Sequence, residues 1–389
     1  MSGLNPKYDD PLFLAVELVR CASITPKDEG AMDALQAALE SLGLTCHRLP
    51  FSSPEGGHVE NLYARIGTKA PNLCFAGHTD VVPVGNEKKW SFPPFGAEVV
   101  DGELLGRGTS DMKGAIAAFV AGVARFLETT KGKFPGSISF LITGDEEGPA
   151  KNGTIKVLEW MKNNNEAIDL CLIGEPTNPT TLGEMLKIGR RGSLNVTVTV
   201  DGKQGHAAYP ERADNPVPGL QKILSALEAW HLDDGTDGFQ PSNLEITNVN
   251  AGTGVFNVIP GAATAKFNIR YNPLHTADSL VEKIENLVGE TGVRHILEYQ
   301  RIGEAFLTKK AGLGGFVKEA VMEVLDREPE FSTSGGSSDA RFIKDHCPVI
   351  EFGLTGETIH AVDERAQVDD IENLSRVYER VLEKVFKVS

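Results

Sequence analysis

At 389 residues the chain is too long for one compact core of ordinary size, so two domains are expected. With 41% hydrophobic and 24% charged residues it has an ordinary soluble globular composition, and a formal net charge of −16 makes nucleic acid and anionic membrane poor partners. Five scattered cysteines without a CxxC pair argue against a disulfide framework and a thiolate metal site, so any metal must rest on His, Asp and Glu.

The opening stretch MSGLNPKYDDPLFLAVELVRC lacks a basic-then-apolar leader, and no apolar run approaches the roughly 18 residues that span a bilayer. A cytoplasmic location is expected. Apolar residues then recur at helical spacing in DPLFLAVELVRCASI and GAMDALQAALESLGL. Short strand-like segments follow, NLYARIG, NLCFAGH, SISFLIT and DLCLIG, with helical patterns between them in MKGAIAAFVAGVARFLE and GTIKVLEWMKNN. This alternation predicts an α/β domain whose largely parallel sheet carries helices on both faces.

After GRRGS the pattern changes. LNVTVTVDG alternates strictly, NPVPGLQKILSALEAW is amphipathic, SNLEITNVNAG and GAATAKFNIRY alternate, TADSLVEKIENLVGET is helical, and RHILEYQRI is a last strand. The order β-α-β-β-α-β is that of a ferredoxin-like α+β unit. The first pattern resumes with LGGFVKEAVMEVLD, PVIEFGL and IENLSRVYERVLEKVFKV. The expected organisation is a discontinuous domain, 1–191 and 305–389, interrupted by an inserted domain, 192–304.

Charge gathers where the strands end. GHTDVVPVG sets His78 and Asp80 two residues apart, on one side of an extended chain. GRGTSDMKG places Asp111 in a glycine-rich loop before a helix, GDEEG puts Glu146 and Glu147 after ISFLIT, GEPT puts Glu175 after DLCLI, and GETIH brings His360 a few residues past PVIEF. In open α/β sheets ligands bind in the crevice beyond the carboxyl ends of the strands, so these groups can converge there. Several carboxylates and two imidazoles packed together would perturb one another strongly, and a divalent cation, or a pair of them, removes the conflict.

Singly each motif is weak, since a His-x-Asp is often an ordinary hydrogen-bonded pair and Gly-Glu-Pro punctuates loops. GRGTSDMKG does not read as a phosphate loop, because Asp111 stands where the dinucleotide fingerprint has its third glycine and no Gly-Lys-Ser/Thr follows. His47, His58, His231, His275, His295 and His346 lie in loops or on mixed faces and read as structural or solvated.

Taken together, GHTDVVPVG, FPPFGAEVVDGELLGRGTSDMKGA, ITGDEEGPAKNGT and GEPT resemble the dinuclear zinc aminoacylase and carboxypeptidase superfamily, and the likeness covers essentially the whole chain. IGRRGSL, GKQGHAAYP and SGGSSDARFI make it most similar, within that superfamily, to the desuccinylases. The resemblance implies two Zn2+ per subunit, with Co2+ as a substitute: one held by His78 and Glu175, the other by Glu147 and His360, and Asp111 bridging them. Relatives of the aminopeptidase type tend to have Asp where Glu175 stands. The resemblance also implies that Asp80 accepts the remaining ring N–H of His78, and that Glu146 is the general base, taking a proton from the attacking water and returning it to the departing amine.

His206 is implied as an oxyanion donor, commonly reaching over from the partner subunit of a homodimer after domain closure, with Asn257 in the same lid. Substrate carboxylates are expected to meet Arg190, Ser193, Tyr209, Arg270, Gly336 and Ser337. Arg191 and Arg341 read as structural alternatives, and the sequence does not separate Arg190 from Arg191. Glu184, where relatives often have Asp after LG, and Ser337, where they often have Thr, bear on fine specificity. The expected activity is amide hydrolysis releasing succinate from an N-succinylated diamino acid, by a homodimer joined through an exposed edge of the inserted sheet. An acetylornithine-type amidase is the rival enzyme. A silent binding protein is the rival of another class, and the intact set of five ligands plus Glu146 speaks against it.

Overall fold

The computed structural model describes residues 6–252 and 254–388. The chain up to Ile188, with Thr308–Ser332 and the residues from Ser338 onward, forms one compact unit; Gly189–Leu307 and Thr333–Ser337 form a second. The insertion therefore starts at Gly189 rather than 192 and ends at Leu307 rather than 304. The cause is local: Gly189–Arg190 pairs antiparallel with Phe306–Leu307, so hydrogen bonds close the entry and exit of the unit.

The larger unit is built on an eight-stranded sheet in the order Thr45–Arg48, Asn61–Gly67, Ser137–Thr143, Asn72–His78, Leu170–Ile173, Val349–Glu351, Met185–Lys187 and Glu330–Ser332. The four strands from Ser137–Thr143 to Val349–Glu351 run parallel, flanked by antiparallel pairings on either side. Every residue of Ser137–Thr143 is buried, as befits a parallel strand covered on both faces. Helix Gly114–Thr129 is buried over most of its surface and packs on Val368–Phe386. Gly122 permits that approach, because a Cβ there would lie 2.9 Å from the Ser375 carbonyl oxygen and 3.1 Å from the Glu379 amide nitrogen. Phe119 on this helix stacks on Phe75 at 4.3 Å and meets Phe140 and Tyr378 edge-on at 5.3 Å, tying helix, sheet and carboxyl-terminal helix into one core.

In the smaller unit four antiparallel strands run in the order Asn243–Ala251, Ala262–Tyr271, Gly192–Asp201, Ile296–Gly303, the ferredoxin-like order. Helices Pro216–Glu228 and Ala277–Glu290 pack on this sheet over Leu194, Val196, Val198, Phe267 and Ile269. Asn215 caps the first helix by accepting the Val217 N–H, and Thr276 and Ser279 form a capping box on the second. His275 is locked by Asp233, which also accepts the N–H groups of Gly235 and Ser242. Among the described residues no helix is long and apolar enough to cross a membrane.

Candidate metal centre

In the larger unit the parallel register brings strand ends level. His78 closes its strand opposite Thr143, and Asp145, Glu146 and Glu147 follow Thr143 after the single residue Gly144. Glu175 comes two residues after the end of Leu170–Ile173. Asp111 sits in an irregular turn before helix Gly114–Thr129, with non-helical φ −123° and ψ 94°. His360 lies in the loop between Val349–Glu351 and Arg365–Gln367.

Asp111 is the hub of these groups. Its Oδ1 lies 3.2 Å from His78 Nε2 and its Oδ2 lies 3.3 Å from His360 Nε2. His360 Nε2 is also 2.8 Å from Glu147 Oε1, and His78 Nε2 is 3.8 Å from Glu175 Oε1. Ligand bonds of about 2.0–2.2 Å in a tetrahedral arrangement put neighbouring donors roughly 3.4 Å apart, close to these spacings. His78, Glu146 and Glu175, and likewise His78, Asp111 and Glu147, offer ligand atoms that all lie within 4.8 Å of one another. The two groups overlap at His78, whose Nδ1 is bonded to the Asp80 carbonyl, so its one free nitrogen, Nε2, can serve a single ion, whereas Asp111 has an oxygen for each side. Glu146, which the sequence reading assigns to neither metal, stands close enough to belong to the first.

The electrostatics fit a cation as well. Hydrogen bonds to Asp111 and Glu147 push the His360 imidazole up to about 10. Burial works to lower the pKa of His78, but Asp111, Glu175 and Asp80 outweigh it and hold the ring well above its ordinary value. Asp111 is the counterpart: burial works upward, yet hydrogen bonds from His360 and His78 keep it below the usual carboxylate range. Burial, then Glu175, pushes Glu146 well above its ordinary value. The carboxylates hold both imidazoles toward their protonated form, which is a demand for positive charge that nitrogen- and oxygen-seeking divalent ions meet.

Asp80 differs from its expected role. The acceptor for His78 Nδ1 is the backbone carbonyl of Asp80, at 2.9 Å, while the nearer carboxylate oxygen is 3.6 Å away. That carboxylate instead accepts the backbone N–H groups of Glu146, at 3.3 Å, and Glu147, at 3.0 Å. Asp80 therefore fixes the His78 tautomer with its main chain and the Glu146–Glu147 turn with its side chain. Asp145 supports the same turn from the other end, its Oδ2 accepting the N–H groups of Lys151 and Asn152.

His206, Asn257 and the residues expected to meet substrate carboxylates belong to the smaller unit, whereas Glu184 and Arg341 lie in the larger one. His206 Nδ1 accepts the Ala208 N–H at 3.0 Å, so the proton resides on Nε2, and the ring is exposed. Gly205–His206 pairs with Val258–Ile259, and the Asn257 carbonyl accepts the Ala207 N–H, which joins the His206 and Asn257 loops. Tyr209 stands edge-on to His206 at 5.7 Å. Arg190 Nη1 donates to the Gly336 carbonyl at 2.8 Å, next to Ser337. Ser193 faces Arg270 across adjacent strands, and Arg270 lies near enough to Arg190 to feel its charge. Arg191 donates to Asn243 Oδ1, so each of the two neighbouring arginines has a hydrogen-bond acceptor within the smaller unit. Sequence reasoning missed Arg107 and Glu364, although both stand in segments already marked by Asp111 and His360.

Comparison with known proteins gives one consistent result. Residues 74–384 match the family model described as peptidase family M20/M25/M40. A succinyl-diaminopimelate desuccinylase of Rhodospirillum centenum is 56% identical over 377 residues, covering 97% of each chain. Another from Maricaulis maris is 54% identical over 390 residues, covering 99% of this chain and 98% of that one. Among solved structures, an M20 family metallo-carboxypeptidase from Sulfolobus solfataricus superposes with a TM-score of 0.79 at 18% identity, over 97% of this chain and 100% of that one. The aminopeptidase PepT of Bacillus cereus gives 0.76 at 20% identity, over 97% and 98%. At such identities the structural matches speak for the fold alone.

Proposed function

Because the chain belongs to peptidase family M20/M25/M40, we propose that it hydrolyses N-succinyl-L,L-diaminopimelate to succinate and L,L-diaminopimelate, a step toward lysine and cell-wall diaminopimelate. The observation that carries the chemistry is the Asp111 carboxylate held between His78 Nε2 and His360 Nε2. Relatives above 50% identity over nearly their whole length carry the substrate.

His78 and Glu175 would hold one zinc ion, Glu147 and His360 the other, with Asp111 shared; Co2+ suits the same donors. Bound there, the metals supply Lewis acidity toward the amide carbonyl and toward water. Glu146 takes the proton of the attacking water and passes it to the leaving nitrogen, so that one water and one amide become a carboxylic acid and an amine, which end as carboxylate and ammonium once the acid's proton passes to the amine. Asp80 keeps the Glu146 main chain in place for that transfer. His206, protonated on Nε2, is the donor to the developing oxyanion, with Asn257 beside it. Arg190 and Arg270 take substrate carboxylates, with Ser193, Tyr209, Gly336 and Ser337 around them.

We place the reaction in the cytoplasm, where five free thiols persist. A homodimer through the smaller unit is supported by its edge strand Asn243–Ala251, where Val249 is 56% exposed, and by fully exposed Phe256. Chelation should abolish succinate release, and two equivalents of Zn2+ per chain should restore it. Full activity in chelated, metal-free protein would exclude the proposed mechanism.

A further inference from the structure

The larger unit buries an ion pair that the reaction does not use. Arg107 is 2% exposed and Glu364 is fully buried, with Arg107 Nη1 2.6 Å from Glu364 Oε2. Desolvating both charges is costly, and apolar side chains of similar volume would usually serve stability as well or better. The other oxygen of Glu364 gives the pair its purpose. Oε1 accepts the backbone N–H of Ser110 at 3.1 Å and that of Asp111 at 3.2 Å.

Main-chain bonds tie the same segments again. The Glu364 carbonyl accepts the Gly106 N–H at 2.9 Å, and the Arg107 N–H goes to the Pro94 carbonyl at 2.8 Å. The Arg107 guanidinium lies 5.2 Å from the centre of the Trp90 ring, within cation–π range. Ser110 Oγ donates to the Thr355 carbonyl. Asp111 and Met112 have non-helical dihedrals, and the Ser110 and Asp111 N–H groups find their acceptor in a side chain. Glu364 is four residues past His360, so one segment grips Asp111 twice: His360 at the carboxylate, Glu364 at the main chain.

We propose that Glu364, held in place by Arg107, is a positioning residue for the metal centre, fixing the Ser110–Asp111 main chain so that the Asp111 carboxylate faces His78 and His360 together. The role rests on the reading of Asp111 as a shared ligand.

The test is zinc binding by the full chain, measured by competition with a chromophoric chelator, beside urea unfolding and the visible spectrum of the Co2+-loaded protein. Replacing the whole pair, Arg107→Met with Glu364→Leu, should leave a folded protein whose weaker site loses about 10–100-fold in affinity, with an altered Co2+ spectrum. In Glu364→Gln alone, the amide oxygen must serve either Arg107 or the two N–H groups, and affinity should fall. Adding Arg107→Met to Glu364→Gln frees that oxygen for the N–H groups, so the second change should restore affinity. This pair decides the matter even where the leucine variant does not fold. Parental affinity in the folded leucine variant, or no rescue of Glu364→Gln by Arg107→Met, would overturn the role. Fewer than two ions bound by the parent protein would instead remove the shared-ligand reading and the inference with it.

Discussion

Glu146→Gln is expected to lower turnover about 10²–10⁴-fold, the span typical of a lost general base, while both metal ions stay bound. Glutamine keeps the size and hydrogen-bonding reach of the side chain and cannot carry a proton. The Glu146 main chain is held by Asp80 Oδ1, so the substitution should not move the turn, and the loss should fall on kcat more than on KM. The assay is kcat with zinc content on the same preparation. Because Glu146 also stands near His78 and Glu175, a variant that loses one zinc per chain would make Glu146 a ligand instead. Turnover within a few fold of the parent would remove it from the mechanism.

Asp111→Asn should cost more in metal than any other single change in the centre. The carboxylate presents one oxygen to each imidazole, at 3.2 and 3.3 Å, and both oxygens can be anionic donors. An asparagine amide offers one neutral oxygen and a nitrogen that does not ligate, so it cannot hold two cations. Loss of an outer partner alone typically costs about 10–100-fold, and a shared ligand should exceed that. The expected product binds one zinc per chain and has lost nearly all turnover. Zinc titration with activity at each equivalent reads both, and an Asn variant holding two ions at parental affinity would show that Asp111 is not shared.

Much of this was legible because the sequence pattern reports strands and their ends. NLCFAGH, SISFLIT and NLYARIG are strands at the boundaries read for them, and parallel pairing then forces His78 and the Asp145–Glu147 run together. The inserted unit was equally plain, since Gly192–Asp201 and Ala262–Tyr271 alternate in burial as they do in sequence. What escaped were strands of three or four residues, such as Thr45–Arg48, Met185–Lys187 and Glu330–Ser332, too short to show a period and held by their neighbours. Glu364 escaped because its partner Arg107 is 257 residues away in sequence. The role of Asp80 escaped for a different reason, since the choice between its carbonyl and its carboxylate is a matter of backbone direction after strand Asn72–His78.

The most direct test of the central claim is the initial rate of amide cleavage by zinc-loaded protein on N-succinyl-L,L-diaminopimelate, set against N-acetylornithine in the same assay. Rapid release of succinate with little or no cleavage of the acetyl substrate is the predicted result. Preference for N-acetylornithine, or no cleavage of either substrate with two zinc ions bound, would contradict it.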